Sequence, residues 1–207
     1  MVGELLDVLK IDNTKCQFYY DLLNKQPFVQ QRGDIKTYHP VVKDQMLKHL
    51  FGKSRRIWRE QHYILANYFE AEANILGFET LETQYTNDEW IRLTLEATYH
   101  KLCANFEKEL PEAVERMAIH LEKDKYTETL IPWSDIIGKA GKLIGEEKWS
   151  LFIQKGVSGF VADNEVIALE FFEKINQQNW IKEPLAASLF YFQVARYSQE
   201  KEDFKKA

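Results

Sequence analysis

A chain of 207 residues, 45% apolar and 14% aromatic, is long enough to bury a sizeable core and too apolar to stay disordered. Its formal net charge of −5 argues against a nucleic-acid surface, because neutralising phosphates takes a basic face that an acidic total makes harder to assemble. Cys16 and Cys103 alone argue against a disulfide framework, and no uninterrupted apolar run approaches the roughly 20 residues that span a bilayer. Met1 to Lys15 has acids where a signal peptide needs a basic start, and it lacks a long apolar core. A soluble cytoplasmic protein of one domain, residues 1–207, is therefore expected, with no membrane and no nucleic-acid partner.

In chain order the elements read almost wholly helical. Val2 to Lys10 is a short amphipathic piece, and Asn13 or Thr14 can cap a second helix through Phe18, Leu22 and Leu23. That helix should end before Pro27, since proline disfavours helix at the residue ahead of it. Phe28 to His39 lacks a helical period and contains Gly33, which predicts a loop with room for a short hairpin. Pro40 suits a first helical turn, and Val41, Val42, Met46, Leu47 and Leu50 then give an apolar face up to Gly52. Ser54 caps the next helix, where Trp58, Gln61, His62, Leu65, Phe69 and Leu76 keep helical spacing until Gly77 stops it.

Phe78 to Thr86 is polar and irregular, and Asn87 or Asp88 then opens a helix carrying Ile91, Leu95, Tyr99, Leu102 and Phe106 on one stripe. Pro111 is expected to end or kink it, and Glu112 to Lys123 continues with Val114, Met117 and Leu121 inward and His120 at the margin. After the charged link Lys123 to Tyr126, Ile131 to Asp135 announces a helix that Gly138, Gly141 and Gly145 weaken. Glu146 to Lys155 resumes and Gly156 to Asp163 reads as a turn region. Asn164 caps Val166 to Gln177, and Pro184 starts a last helix running into the charged tail Glu200 to Ala207. About eight helices without convincing strands make an all-α, single-domain helical bundle the expected architecture.

The candidate chemistry sits on two successive helices. Glu96 and His100 are four residues apart, so both project from one helix face, where they could ligate a metal or run acid and base chemistry if that face turns inward. The plainer reading of the pair is a partly exposed contact worth a few tenths of a kcal/mol. His62 shares its stripe with Trp58, Leu65 and Phe69, and a lone inward histidine is more often a satisfied core residue than a ligand. Gly138 to Lys142 lacks the spacing, the final Ser or Thr and the preceding strand of a phosphate loop. Arg32-Gly33-Asp34 is most simply a turn. Lys53, Arg55, Arg56 and Arg59 could hold an anion, although solvated helix residues explain them as well. Cys103 lies beside an apolar stripe and suits a small buried hydrophobe better than a nucleophile.

His39-Pro40-Val41-Val42, Arg56-Ile57-Trp58, Gln61-His62-Tyr63 and Phe69-Glu70-Ala71, followed by Glu96 and His100, resemble the opening of the haem-oxygenase-like helical fold, as in thiaminase-II (TenA-like) proteins and the diiron oxidases on that scaffold. The resemblance covers about 65 residues, His39 to Cys103, with short and degenerate motifs. It implies a buried small-molecule site, with Glu96 and His100 as metal ligands, His62 beside them, and iron or another divalent metal as cofactor. The chain departs from the pattern in its C-terminal half, where further carboxylate and histidine ligands belong. His120 is the last histidine, and Glu165, Glu170 and Glu173 have no histidine after them. The TenA-like acid after the glutamine is His62 here, and the central cysteine has no counterpart beyond Cys103.

Two functions follow. One is a small-molecule enzyme on this scaffold, a metal-dependent oxidase or oxygenase with an atypical site or a TenA-like hydrolase, with catalytic residues His62, Glu96 and His100 and with Tyr63, Tyr99 or Tyr191 shaping the pocket. The other is a non-catalytic acidic helical protein, an adaptor, regulator or immunity protein, that covers a protein partner through aromatics such as Tyr19, Tyr20, Tyr85, Phe160 and Trp180. Homo-oligomerisation is compatible with either.

Overall fold

Local capping chemistry sets several of the helix boundaries in the computed structural model, which describes residues 18, 21–22, 24–27, 29–32, 35–78, 81–121 and 130–206. The helices expected over Val2 to Lys10 and from Asn13 or Thr14 onward, the turn at Gly33 and the link from Lys123 to Tyr126 fall wholly or largely outside those residues, as do Cys16, Tyr19 and Tyr20. The hairpin forms. Strand β1 (Val29–Arg32) pairs antiparallel with β2 (Ile35–Tyr38), Val29 opposite Tyr38.

Nine helices follow among the described residues, in an all-α bundle. Helix α1 (Pro40–Lys53) begins on its proline, and α2 (Arg55–Ile75) is capped by Ser54, whose hydroxyl accepts the Ile57 N–H at 3.4 Å. The short α3 (Leu81–Tyr85) lies within the stretch read as irregular. Asn87 caps α4 (Asp88–Ala104) by accepting the Trp90 N–H at 2.9 Å, and α5 is Phe106–Ala118. Helix α6 (Ile131–Ile144) stops at Gly145, whose φ of 88° lies in the left-handed region. Helices α7 (Glu147–Val161), α8 (Glu165–Gln178, capped by Asn164) and α9 (Pro184–Lys206) complete the order.

Three local expectations are corrected. Pro111 neither ends nor kinks the helix of Asp88, which stops at Ala104. It sits inside α5, and Glu107, whose carbonyl loses a bond to the missing N–H, is exposed to water. Gly156 to Asp163 is not a turn region, because α7 runs unbroken through Gly156 and Gly159 to Val161. The reason is tertiary. A Cβ at Gly156 would collide with the Phe171 ring of α8, and one at Gly159 would collide with Ile167, so bare backbone lets α8 approach. The apolar face of α1 is mostly uncovered, with Val41, Met46 and Leu50 exposed and only Leu47 and Phe51 packed on the core.

Helix α4 is the central element. Ile91, Leu93, Thr94, Ala97, Thr98, Leu102, Cys103 and Ala104 are buried, which takes in more than one face, and α2, α5 and α6 pack around it. Helix α2 runs antiparallel to it and makes its most extensive contact. Of the stripe predicted for α2, Trp58 and His62 are buried, Leu65 and Phe69 are half-buried, and Gln61 and Leu76 are exposed. The Trp58 indole Nε1 donates to the Cys103 carbonyl at 2.8 Å, satisfying one of the acceptors orphaned at the end of α4. Farther along, Phe160, Phe172, Phe190 and Tyr197 join α7, α8 and α9 in edge-to-face and stacked contacts. Among the described residues no helix is long and apolar enough to cross a membrane.

The α7 to α8 contact predicts opposite outcomes for two glycines. Gly156→Ala, forced against Phe171, should destabilise the fold by about 1–3 kcal/mol. Gly52→Ala, in the exposed last turn of α1 with open space around it, should stabilise by up to about 1 kcal/mol. Urea midpoints of the two variants check the contrast.

Candidate functional site

The antiparallel register of α2 on α4 brings His62 and His100 together. Their Nδ1 atoms are 2.8 Å apart, so one imidazole donates through Nδ1 and the other accepts. Trp58 packs on His62 with ring centroids 4.1 Å apart, and Phe69 stacks on His100 at 5.7 Å and 5°. Burial lowers the His62 pKa to about 4; burial first, then the neighbouring His62 and Lys43, lowers that of His100 to about 3. Both rings are neutral near pH 7, and a neutral ring is what the accepting side of the N–H···N bond requires.

The third predicted residue does not join them. Glu96 is exposed on α4, within the electrostatic reach of Arg92, one turn earlier. The facing nitrogens of the histidines are occupied by each other, and among the described residues no group of three or more His, Cys, Asp or Glu side chains is placed to hold a metal ion. The donor set expected of an iron or other divalent site on Glu96 and His100 therefore does not fit. Tyr99 borders the pair edge-on, 5.4 Å from His100, while Tyr191 is exposed and Tyr63 donates to Glu109 at 3.1 Å. Cys103 is buried, and that burial pushes its thiol up to about 12, the state of an inert core residue. In the basic cluster, Arg56 pairs with Glu60 on the surface and Arg55 lies over the Phe51 ring.

A cavity of about 540 Å³ opens elsewhere, between α2, α3, α4, α5, α6 and the turn before α9. Neither His62 nor His100 lines it. Along one part of its wall Lys101 of α4 reaches Glu70 at 2.6 Å and Glu112 at 3.1 Å, and Arg116 bridges the same two carboxylates at 3.0 and 2.6 Å. Arg116 and Lys101 hold the Glu112 carboxyl below the usual carboxylate range against the opposing effect of burial. Along another part, Glu115 Oε1 accepts the backbone N–H groups of Lys182 and Glu183 at 2.5 and 2.6 Å, and Glu183 Oε2 accepts that of Ala186 at 2.7 Å.

The residue that sequence reasoning missed is His120. It lines the cavity from the turn just after α5, is 6% exposed, and stacks on Trp133 with centroids 5.7 Å apart. Tyr85 meets it edge-on at 6.3 Å, and Trp90 stands against Tyr85 at 5.2 Å. Burial lowers its pKa to about 4, and its ring has no hydrogen-bond partner among the described residues. The uncovered edge of a ring so placed opens onto the cavity. A signal for it existed in the row Glu112, Glu115, Arg116 and His120, a polar face that runs along α5 and into the turn after it, beside the apolar one.

Comparison with protein-family models, curated proteins and solved structures finds no match to this chain.

A pH dependence follows from His62, His100 and His120. Each folded pKa lies below the unfolded value near 6.5, so on acidification the unfolded chain takes up protons first and stability falls. This contribution is fully present above about pH 6.5 and declines toward about pH 4 for His62 and His120 and about pH 3 for His100, by up to about 1.4 kcal/mol per pH unit for each histidine. Urea unfolding at about pH 7.5 and about pH 5, where most carboxylates are still ionised, should show a clearly lower midpoint at the acid end. Equal midpoints would contradict the neutral assignment.

Proposed function

We propose that the protein is a small-molecule enzyme whose substrate occupies the cavity between α2 and α6, with His120 as its hydrogen-bonding and proton-relay group. The observation that supports this is His120 itself, a buried, neutral imidazole with no protein partner among the described residues, on the wall of a cavity of ligand size. A neutral imidazole donates through one nitrogen and accepts through the other, so it can grip a substrate group and pass a proton across it. Tyr85 sits edge-on to it, within the fields of Glu183 and Arg116. The haem-oxygenase-like scaffold remains the proposed frame, with the reacting centre moved from His62, Glu96 and His100 to His120.

The reading as a protein-binding adaptor draws on a different observation. Tyr85 and Trp180 are half-buried and Phe160 is buried, so these three cannot form its contact face. Val41, Met46 and Leu50 on α1 and Phe192 on α9 are exposed instead.

A fragment screen observed by protein NMR separates the two. Fragments should move the His120 ring signal, assigned from its loss in His120→Asn, and that variant should bind the hits at least about tenfold more weakly while keeping its helical content. Shifts confined to α1 and α9, or no hits at all, would sink the enzyme reading.

A further inference from the structure

The four carboxylates on the cavity wall are not equivalent. Glu70 and Glu112 are neutralised by Lys101 and Arg116 at 2.6 to 3.1 Å. Glu115 and Glu183 are held only by backbone N–H groups, at 2.5 to 2.7 Å, and no lysine or arginine side chain pairs with either among the described residues. Backbone donors fix a carboxylate in place and leave its full charge. Glu183 and Arg116 both lie within electrostatic reach of the Tyr85 hydroxyl, Arg116 being already paired with Glu70 and Glu112, and the Tyr85 ring borders His120 and Trp90. Carboxylates lacking a counterion, an aromatic ring and an unpartnered, nine-tenths-buried imidazole therefore share one part of the cavity.

Building on the proposal that this cavity is the substrate site, the geometry points to a small organic cation carrying a primary ammonium group as its ligand, seated between Glu115, Glu183, the Tyr85 ring and His120. Such a group brings three N–H donors, and the wall there offers acceptors: two carboxylates, an imidazole nitrogen and a π face. An anionic ligand would meet the uncompensated carboxylates, and a neutral one would leave them without a counterion. His120, neutral near pH 7, adds no repulsion against a bound cation.

Titration calorimetry on the full chain tests this with a matched series of n-butylammonium, 1,4-diaminobutane, 1-butanol and butyrate, with the His120 NMR signal followed in parallel. The ammonium probes should bind saturably and move His120, and the alcohol and the carboxylate should not. The double variant Glu115→Gln/Glu183→Gln keeps an oxygen to accept each backbone N–H while removing both charges, so it should fold and bind the ammonium probes at least about tenfold more weakly. If that variant loses helical content, the charge series on the unmodified chain decides alone. Binding of butanol or butyrate in preference, with His120 shifting, would overturn the cation while leaving the cavity as substrate site. Failure of every probe to move His120, together with an empty fragment screen, would overturn both.

Discussion

The hydrogen bond from the Trp58 indole to the Cys103 carbonyl fixes how α2 lies on α4, and the interior chemistry depends on that register. The bond is buried and joins residues 45 apart in sequence. A carbonyl at the end of a buried helix has no water to turn to, so removing the indole would leave it unsatisfied at a cost of roughly 1–3 kcal/mol. One turn along from Trp58 the same register sets His62 against His100, and toward the other end it puts Ala73 in a cluster with Trp90 and Ile91. A sheet would spread such residues over two faces. A central helix wrapped by α2, α5 and α6 concentrates them along lines of contact.

That packing separates two kinds of buried polar group. The histidine pair is closed, with the two facing nitrogens satisfying each other and Trp58 and Phe69 stacked on the rings. It behaves as core that happens to be polar. The wall of the cavity is open, and it is assembled from segments as distant as Glu70 and Glu183. Lys101, Arg116, Glu70 and Glu112 form a network in which each charge has two partners, which offsets the desolvation of partly buried ions better than isolated pairs would. With those four groups held by one another, the remaining carboxylates and His120 give this part of the molecule its chemical character.

Elements whose ends rest on local chemistry were legible in the sequence. Ser54, Asn87 and Asn164 announce their helices, as do Pro40 and Pro184, because a cap or an N1 proline acts within one turn. What hid were features decided by a partner. Gly156 and Gly159 look like helix breakers until Phe171 and Ile167 stand against them, and the spacing of Val41, Met46 and Leu50 does not say that nothing covers them. Of the predicted site, the meeting of His62 and His100 was readable from two apolar stripes on adjacent helices, while the exposure of Glu96 depended on which sector of α4 its neighbours left open. His120 was hardest to see. A polar row along α5 and the turn after it looks the same whether it faces water or a cavity, and only the arrival of Tyr85 and Glu183 distinguishes the two.

Glu115 has a double attachment. Its carboxylate belongs to the cavity wall, and the same oxygen receives the two N–H groups of the turn that launches α9. Through Glu183 that turn contributes to the wall in its own right. The start of α9 is thus tied to an atom of the proposed binding site, and by thermodynamic linkage a molecule that drew on that oxygen would alter how firmly this turn is held. Occupancy of the proposed site would therefore be felt at the start of a 23-residue helix whose far part is held separately, by Phe190 and Tyr197 against Phe172.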